Sequence, residues 1–298
     1  MEMVNWRLEL SYRGTAYCGW QSQKQSDLIS VQEVVEAVVR QVFSQPELAV
    51  QGSGRTDAGV HALRQTVSFE VCCHQSWTEA RLLRVLNHQL PSDVRAVRVE
   101  RWALDLHARF SAVAKTYCYV LNLREAVNPF MDDLSFRSTY PFDIEHVKSA
   151  AACLIGTHDF TAFAAKKKLA KLKFGDSRPQ ERRVYRSPDK PKGNIRTIYD
   201  IKIEEQGGLI FLTFTGSGFL YKMVRSLVGH LIWVGSGRCK VEDTKQILDG
   251  KVRTNQVETA PARGLYLGKV FYEDEDWRLY DFLKDPVFPK GILTTYAY

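Results

Sequence analysis

Residues 47–71 read Glu-Leu-Ala-Val-Gln-Gly-Ser-Gly-Arg-Thr-Asp-Ala-Gly-Val-His-Ala-Leu-Arg-Gln-Thr-Val-Ser-Phe-Glu-Val. Gln65 to Val71 alternates polar and apolar side chains as a half-buried strand does, and Glu47 to Gln51 is also compatible with a strand. The turn between them holds three glycines in the eight residues 52–59, with Arg55 and Asp57 two positions apart. Glycine permits positive φ and lets a ligand approach the backbone, and a nearby cation keeps a carboxylate charged where water is scarce. The stretch therefore reads as an active-site loop between two strands. A plain glycine-rich hairpin, with Asp57 capping the turn and Arg55 solvated, accounts for the same residues equally well at this level.

The surrounding chain alternates strands with helices. Trp6, Leu8, Leu10 and Tyr12 alternate as a strand, and Ser30-Val31-Gln32-Glu33 is a capping box that predicts a helix from Val31. Val31, Val34, Val35, Val38, Val39 and Val42 fall on one stripe of that helix, which a sheet would cover. Ser76-Trp77-Thr78-Glu79 repeats the capping box ahead of Leu82, Leu83 and Leu86, and Val94, Val97 and Val99 suggest a further strand. A similar series follows: a strand at 116–122, a helix at 143–155, strands near 195–204 and 209–215, a long helix from about 219 to 233, a short helix ending near Gly250, and a strand at 265–272. On the long helix Leu220, Met223, Val224, Leu227, Val228 and Leu231 make the buried stripe, with Tyr221 and Arg225 one turn apart on its flank. The pattern predicts two α+β halves, residues 1–105 and 106–275, with a site in the cleft between them and an extension at 276–298. Taken alone, Arg225 reads as an ordinary surface arginine.

The chain has 298 residues, 45% of them hydrophobic, enough for a substantial core. No apolar run approaches the roughly 18 residues that span a bilayer, and Met-Glu-Met-Val-Asn-Trp-Arg lacks the features of a signal peptide, so a cytoplasmic protein that does not engage a membrane is expected. The six cysteines include no C-x-x-C pair, and reduced thiols with neither zinc nor disulfides are expected. The net charge of +7 is concentrated in residues 166–193, which hold 11 Lys/Arg against 3 Asp/Glu. Lys166, Lys167, Lys168, Arg182 and Arg183 belong to this segment, which reads as a basic loop suited to a polyanion.

Five motifs, in order, identify a resemblance. Gly-Arg-Thr-Asp-Ala-Gly-Val-His-Ala at 54–62, Asp-Leu-His-Ala-Arg-Phe-Ser-Ala at 105–112, Gly-Thr-His-Asp-Phe-Thr-Ala-Phe at 156–163, Gly-Phe-Leu-Tyr-Lys-Met-Val-Arg at 218–225 and Ala-Pro-Ala-Arg-Gly-Leu-Tyr-Leu at 260–267 closely resemble the tRNA pseudouridine synthase A family over nearly the whole chain. The resemblance implies two similar ferredoxin-like α+β halves whose antiparallel sheets join across a central basic cleft, usually as a homodimer and without metal or organic cofactor. It implies that Asp57 is the catalytic aspartate, that Arg225 pairs with it, that the Tyr117 ring lies against the uracil and that Leu265 lines the pocket. Arg55 is then assigned to a phosphate or to the nucleotide flipped out of its stack. Arg109, Lys115 and the 166–193 loop become candidate RNA contacts, and the substrate expected is a uridine of the tRNA anticodon stem-loop, positions 38 to 40. Arg13 stands where the family commonly has an acid, and Ser217 where asparagine is frequent. The basic stretch and the tail beyond about Asp274 exceed the family pattern.

The family reaction breaks the N1–C1′ bond, turns the uracil and rejoins it through C5. An aspartate serves as nucleophile at the sugar or at the ring, or as a base at the sugar, and the sequence leaves these three routes open. Ser53, His61 and Asp57 lie too close in one loop for a relay of the Ser/His/Asp kind, and the Gly-x-Gly pairs lack a phosphate-loop ending. Two rival readings are an RNA-binding or chaperone protein of the same fold that has lost catalysis, and a nucleoside hydrolase that would release free uracil.

Overall fold

The computed structural model describes residues 1–21, 27–125, 129–165, 185, 188 and 193–289. In chain order its elements are β1 (Glu2–Tyr12), α1 (Val31–Phe43), β2 (Gln51–Gly52), β3 (His61–Cys73), α2 (Glu79–Gln89), β4 (Val94–Trp102), β5 (Ala114–Asn122) and β6 (Phe136–Arg137). They continue with α3 (Ile144–Ala152), β7 (Gly156–Asp159), β8 (Ile195–Gln206), β9 (Leu209–Gly216), α4 (Met223–Gly235), α5 (Val241–Gly250) and β10 (Leu265–Phe271). None of the described helices is long and apolar enough to cross a membrane.

Local chemistry explains the best-formed elements. The Ser30 hydroxyl accepts the Glu33 backbone N–H at 3.2 Å while the Glu33 carboxylate accepts the Ser30 N–H at 2.8 Å, so α1 starts where its capping box predicts. Val31, Val35, Val38 and Val39 are its buried residues. Before α2 the cap is Thr78, whose hydroxyl accepts from the Arg81 N–H, and not Ser76. The position that could answer the cap is Arg81, so no reciprocal box forms. The strand expected at 47–51 is reduced to Gln51–Gly52, opposite Ser68 and Val67. Helix α4 begins at Met223 and not near residue 219 as expected, because Lys222 takes a left-handed conformation (φ 57°) that cannot continue a helix. Tyr221 therefore precedes the helix and is exposed.

The ten described strands form one sheet, ordered β4-β1-β3-β10-β5-β9-β8-β7, with β2 and β6 added to β3 and β5. Strand β10 is thus the seam between the two ends of the sheet. Along β5 it runs antiparallel, Leu265 opposite Tyr119 and Leu267 opposite Tyr117. Its contact with β3 is parallel and amounts to Tyr266↔His61 and Leu267↔Ala62. The fold is α+β. The two halves expected from sequence share this continuous sheet, with strand 10 inserted between them.

Alternation assigns the faces. Trp6, Leu8, Leu10, Val67 and Phe69 of the first half join Tyr117, Tyr119, Leu212 and Phe214 of the second in one core with the five helices. The opposite face carries a smaller core of Leu63, Cys118, Val120, Phe211 and Tyr266, covered by Phe282 and Phe288. Farther along that face Arg7 is buried against Glu9, Glu100 and Glu275, with its guanidinium 4.6 Å from the Tyr272 ring centre. Each charge is met by an opposite one, which offsets the cost of removing it from water.

Candidate active site

The loop between β2 and β3 is held by hydrogen bonds at Ser53, Gly54, Thr56 and Val60. The Ser53 N–H donates to the Thr66 carbonyl at 2.8 Å, the Ser53 hydroxyl to Gln65 Oε1 at 2.6 Å, and Gln65 Nε2 to the Gly54 carbonyl at 2.8 Å. Lys115 Nζ, from β5, donates to the Ser53 carbonyl at 2.7 Å and so ties the loop to the other half of the sheet. Thr56 accepts the Trp20 N–H at 3.1 Å on its carbonyl, and its hydroxyl lies 2.9 Å from the Tyr12 hydroxyl. Gly19 pairs with Asp57 as an isolated bridge at φ +106°, where a Cβ would run into the Thr56 carbonyl, so this approach requires glycine.

Asp57 is presented across the seam to α4. Arg225 Nη1 donates to Asp57 Oδ2 at 2.9 Å, and the two side chains keep 13% and 20% of their exposure. The guanidinium is aimed by a second contact, Arg225 Nε to the Ala260 carbonyl at 2.7 Å, and Ala260 N–H returns to the Arg225 carbonyl at 3.0 Å. Segment 258–260 can approach this closely because Gly229, one turn beyond Arg225, has no Cβ to meet the Glu258 carbonyl. Arg225 is therefore a paired and oriented side chain, which corrects its reading as a surface arginine. Arg55, the other candidate partner, is exposed and takes no hydrogen bond or ion pair among the described residues.

Tyr117 is buried on β5, its ring edge-on to Phe219 at 5.3 Å. Burial pushes its phenol well above the ordinary tyrosine value, and the Asp57 charge pushes in the same direction. It stays protonated and is unfit to act as a base. Among the described residues its hydroxyl makes no hydrogen bond, which leaves the O–H available to a ligand. Leu265 is buried on the same face, diagonal to Tyr117 across the β10–β5 ladder.

The other candidates are scattered. His61 is buried and its ring is fully engaged: Nδ1 accepts the Gly14 N–H at 3.1 Å and Nε2 donates to the Arg263 carbonyl at 3.1 Å. With Ser53 committed to Gln65, the loop contains no Ser/His/Asp relay. Arg109 is exposed beside Phe110, on the 107–111 turn whose Ala108 N–H donates to Ser68 at 3.1 Å. Lys166, Lys167, Lys168, Arg182 and Arg183 lie outside the described residues. Residue-level reasoning missed Gly19, Gly229, the Ala260 carbonyl and the bracing role of Lys115. Gly229 left a trace in the sequence, because a glycine inside a strongly apolar helix carries a penalty that close packing explains.

The family model described as tRNA pseudouridine synthase matches residues 10–111 and 150–273, a span that takes in Asp57 and Arg225 alike. The chain belongs to the tRNA pseudouridine synthase family. Among curated relatives of that family, it is 36% identical over 276 residues to the tRNA pseudouridine synthase A of Streptococcus agalactiae serotype Ia, covering 92% of this chain and 97% of that one. It is 37% identical over 270 residues to the tRNA pseudouridine synthase A of Thermoanaerobacter sp. strain X514, covering 91% and 100%. The protein of that name from Limosilactobacillus reuteri strain DSM 20016 is 37% identical over 278 residues, covering 92% and 99%. As a pseudouridine synthase the protein is an isomerase, and the pair Asp57–Arg225 lies in the stretches that carry this likeness.

Proposed function

We propose that the protein converts uridine to pseudouridine in the anticodon stem-loop of tRNA, at positions 38 to 40, with Asp57 acting directly on the flipped nucleotide. The observation that carries this reading is the Asp57–Arg225 contact of 2.9 Å, made across the seam beside the buried Tyr117 ring. A guanidinium fixed opposite a carboxylate offsets the cost of taking that charge out of bulk water to meet a base. Its second oxygen, Oδ1, remains for the nucleotide.

In the reaction the N1–C1′ bond breaks, a C5–C1′ bond forms, the C5 proton leaves and N1 gains one. Nothing is added or lost, and the base must stay enclosed between the two bond changes. Tyr117 supplies a flat wall and a neutral O–H for a uracil carbonyl, and Leu265 supplies an apolar side. Arg55, exposed beside Asp57, suits a phosphate of the flipped nucleotide or the space the base leaves in the stack. Arg109, Lys115 and the basic 166–193 stretch supply cations for the phosphate backbone, and the working unit is a homodimer.

Mapping pseudouridine in tRNA from cells with and without the gene tests this reading. Loss of the modification at positions 38 to 40, restored by the wild-type protein, supports it. An unchanged map, or free uracil as the product in vitro, refutes it.

A further inference from the structure

The family match ends at residue 273, yet the described chain continues and folds over the face of the sheet opposite the Asp57–Arg225 pair. Phe282 and Phe288, 4.6 Å apart between ring centres, both pack edge-on to Tyr266 at 6.0 Å. Tyr266 stacks on His61 at 4.8 Å with 28° between the planes. His61 is four residues from Asp57, and its two ring nitrogens fix Gly14 and Arg263 on either side of the seam. A second line of contact runs parallel to this one. Asp285 takes Arg64 in a fork, Nε at 2.7 Å and Nη2 at 3.2 Å, while Arg64 Nη1 reaches Glu9 at 2.8 Å and the Tyr280 hydroxyl donates to Asp285 at 3.1 Å. Burial works against the Arg64 charge, but hydrogen bonds to Asp285 and Glu9 outweigh it and hold the guanidinium above its ordinary value.

These contacts fall at the shortest ladder on the main path of the sheet. Strands β3 and β10 share two residue pairs, so the ladder beneath the Asp57 loop offers little resistance to displacement. Stiffness there has to come from side chains packed behind it. We infer that segment 276–289 is a positioning element of the active site: Phe282 and Phe288 through Tyr266 and His61, and Asp285 through Arg64, hold the first residues of β3 and with them the Asp57 carboxylate in register with Arg225. The inference rests on the role of Asp57 proposed above. A displacement of about 1 Å at a reacting group costs as much as 10²-fold in rate, so a support that touches no substrate governs turnover.

The test uses the full chain, with wild type and Asp57→Asn alongside, on tRNA at a temperature where circular dichroism shows every variant folded. Phe288→Ala and the milder Asp285→Asn are expected to lower kcat about tenfold while KM stays within about twofold, and Phe288→Leu, which keeps apolar volume behind Tyr266, to recover most of it. Hydrogen exchange gives a reading independent of catalysis: the Gly14 and Val60 amides should exchange faster in Phe288→Ala than in wild type. Folded variants with wild-type kcat, or unchanged exchange at Gly14 and Val60, overturn the inference. An Asp57→Asn enzyme with full turnover would instead count against the role of Asp57, and the exchange result would still decide whether segment 276–289 steadies the loop.

Discussion

Arg225 Nη1 lies 2.9 Å from Asp57 Oδ2 although 168 residues separate them in sequence. One comes from a loop at the edge of β3 and the other from the first turn of α4, and strand β10 joins the sheet halves beneath them. Arg225 is itself held by the Ala260 carbonyl, so the acid meets a cation already in place.

Replacing that cation should therefore be costly. Arg225→Ala is expected to reduce kcat about a hundredfold, the scale of losing one preorganised charged donor at a reacting centre. Arg225→Lys keeps the charge but cannot bond Asp57 and Ala260 at once, and should fall between wild type and alanine. Steady-state kinetics with a filter-binding measurement of tRNA affinity checks this; an Arg225→Ala enzyme at wild-type kcat would remove the pair from the mechanism.

Gly229 should behave as an active-site residue without touching substrate. A methyl group there meets the Glu258 carbonyl, and overpacking of this kind costs about 1 to 3 kcal/mol. Gly229→Ala is expected to lower Tm and to reduce kcat by displacing Ala260 from Arg225. Equal kcat in the two proteins at a temperature where both are folded would show that segment 258–260 does not aim the guanidinium.

The fold should weaken in mild acid through His61. Burial depresses its pKa to about 4 against the opposing pull of the Arg263 carbonyl and Asp133, while Arg13 adds to the depression. The unfolded chain takes up this proton near pH 6.5, so the contribution is complete above that value and lost as pH falls from 6.5 towards 4, on the order of 2 kcal/mol at pH 5. Buried His230, also shifted down by desolvation, adds with the same sign. Thermal melts from pH 7 to pH 4.5 should show a falling Tm, with a shallower slope in His61→Asn despite its lower stability at pH 7. Parallel slopes would contradict the assignment.

The basic stretch is expected to act through charge. Alanine at Lys166, Lys167, Lys168, Arg182 and Arg183 should weaken tRNA binding and reduce the slope of log K against log salt by about one unit for each phosphate no longer neutralised. A salt slope equal to that of wild type would exclude the stretch from the RNA interface.

Much of the fold was legible because its signals are local. The Ser30–Glu33 box fixed the start of α1 to the residue, and period-two alternation located β1, β3 and β5. The order of the strands was not legible, because the pairing of β10 between β3 and β5 depends on partners about 150 to 200 residues away and no local pattern encodes it. The start of α4 was misplaced because its apolar stripe extends upstream through Leu220, while the left-handed Lys222 that stops the helix carries no side-chain signature. At the site, the glycine-rich loop drew attention to Asp57, but its composition suited a plain hairpin equally well, and only the family resemblance favoured the carboxylate. Its partner could not be chosen from the loop either: Arg55 is the neighbour in sequence, yet the chain folds Arg225 onto Asp57. The back-face role of Phe282, Phe288 and Asp285 lay in a tail with little periodicity.

The most direct test of the account is pseudouridine formation by Asp57→Asn on purified tRNA, measured with binding of the same tRNA. The substitution keeps the shape and removes the charge, so turnover should fall below detection while affinity, which comes mainly from cations elsewhere, stays within about a few-fold. Turnover at the wild-type rate would contradict the account.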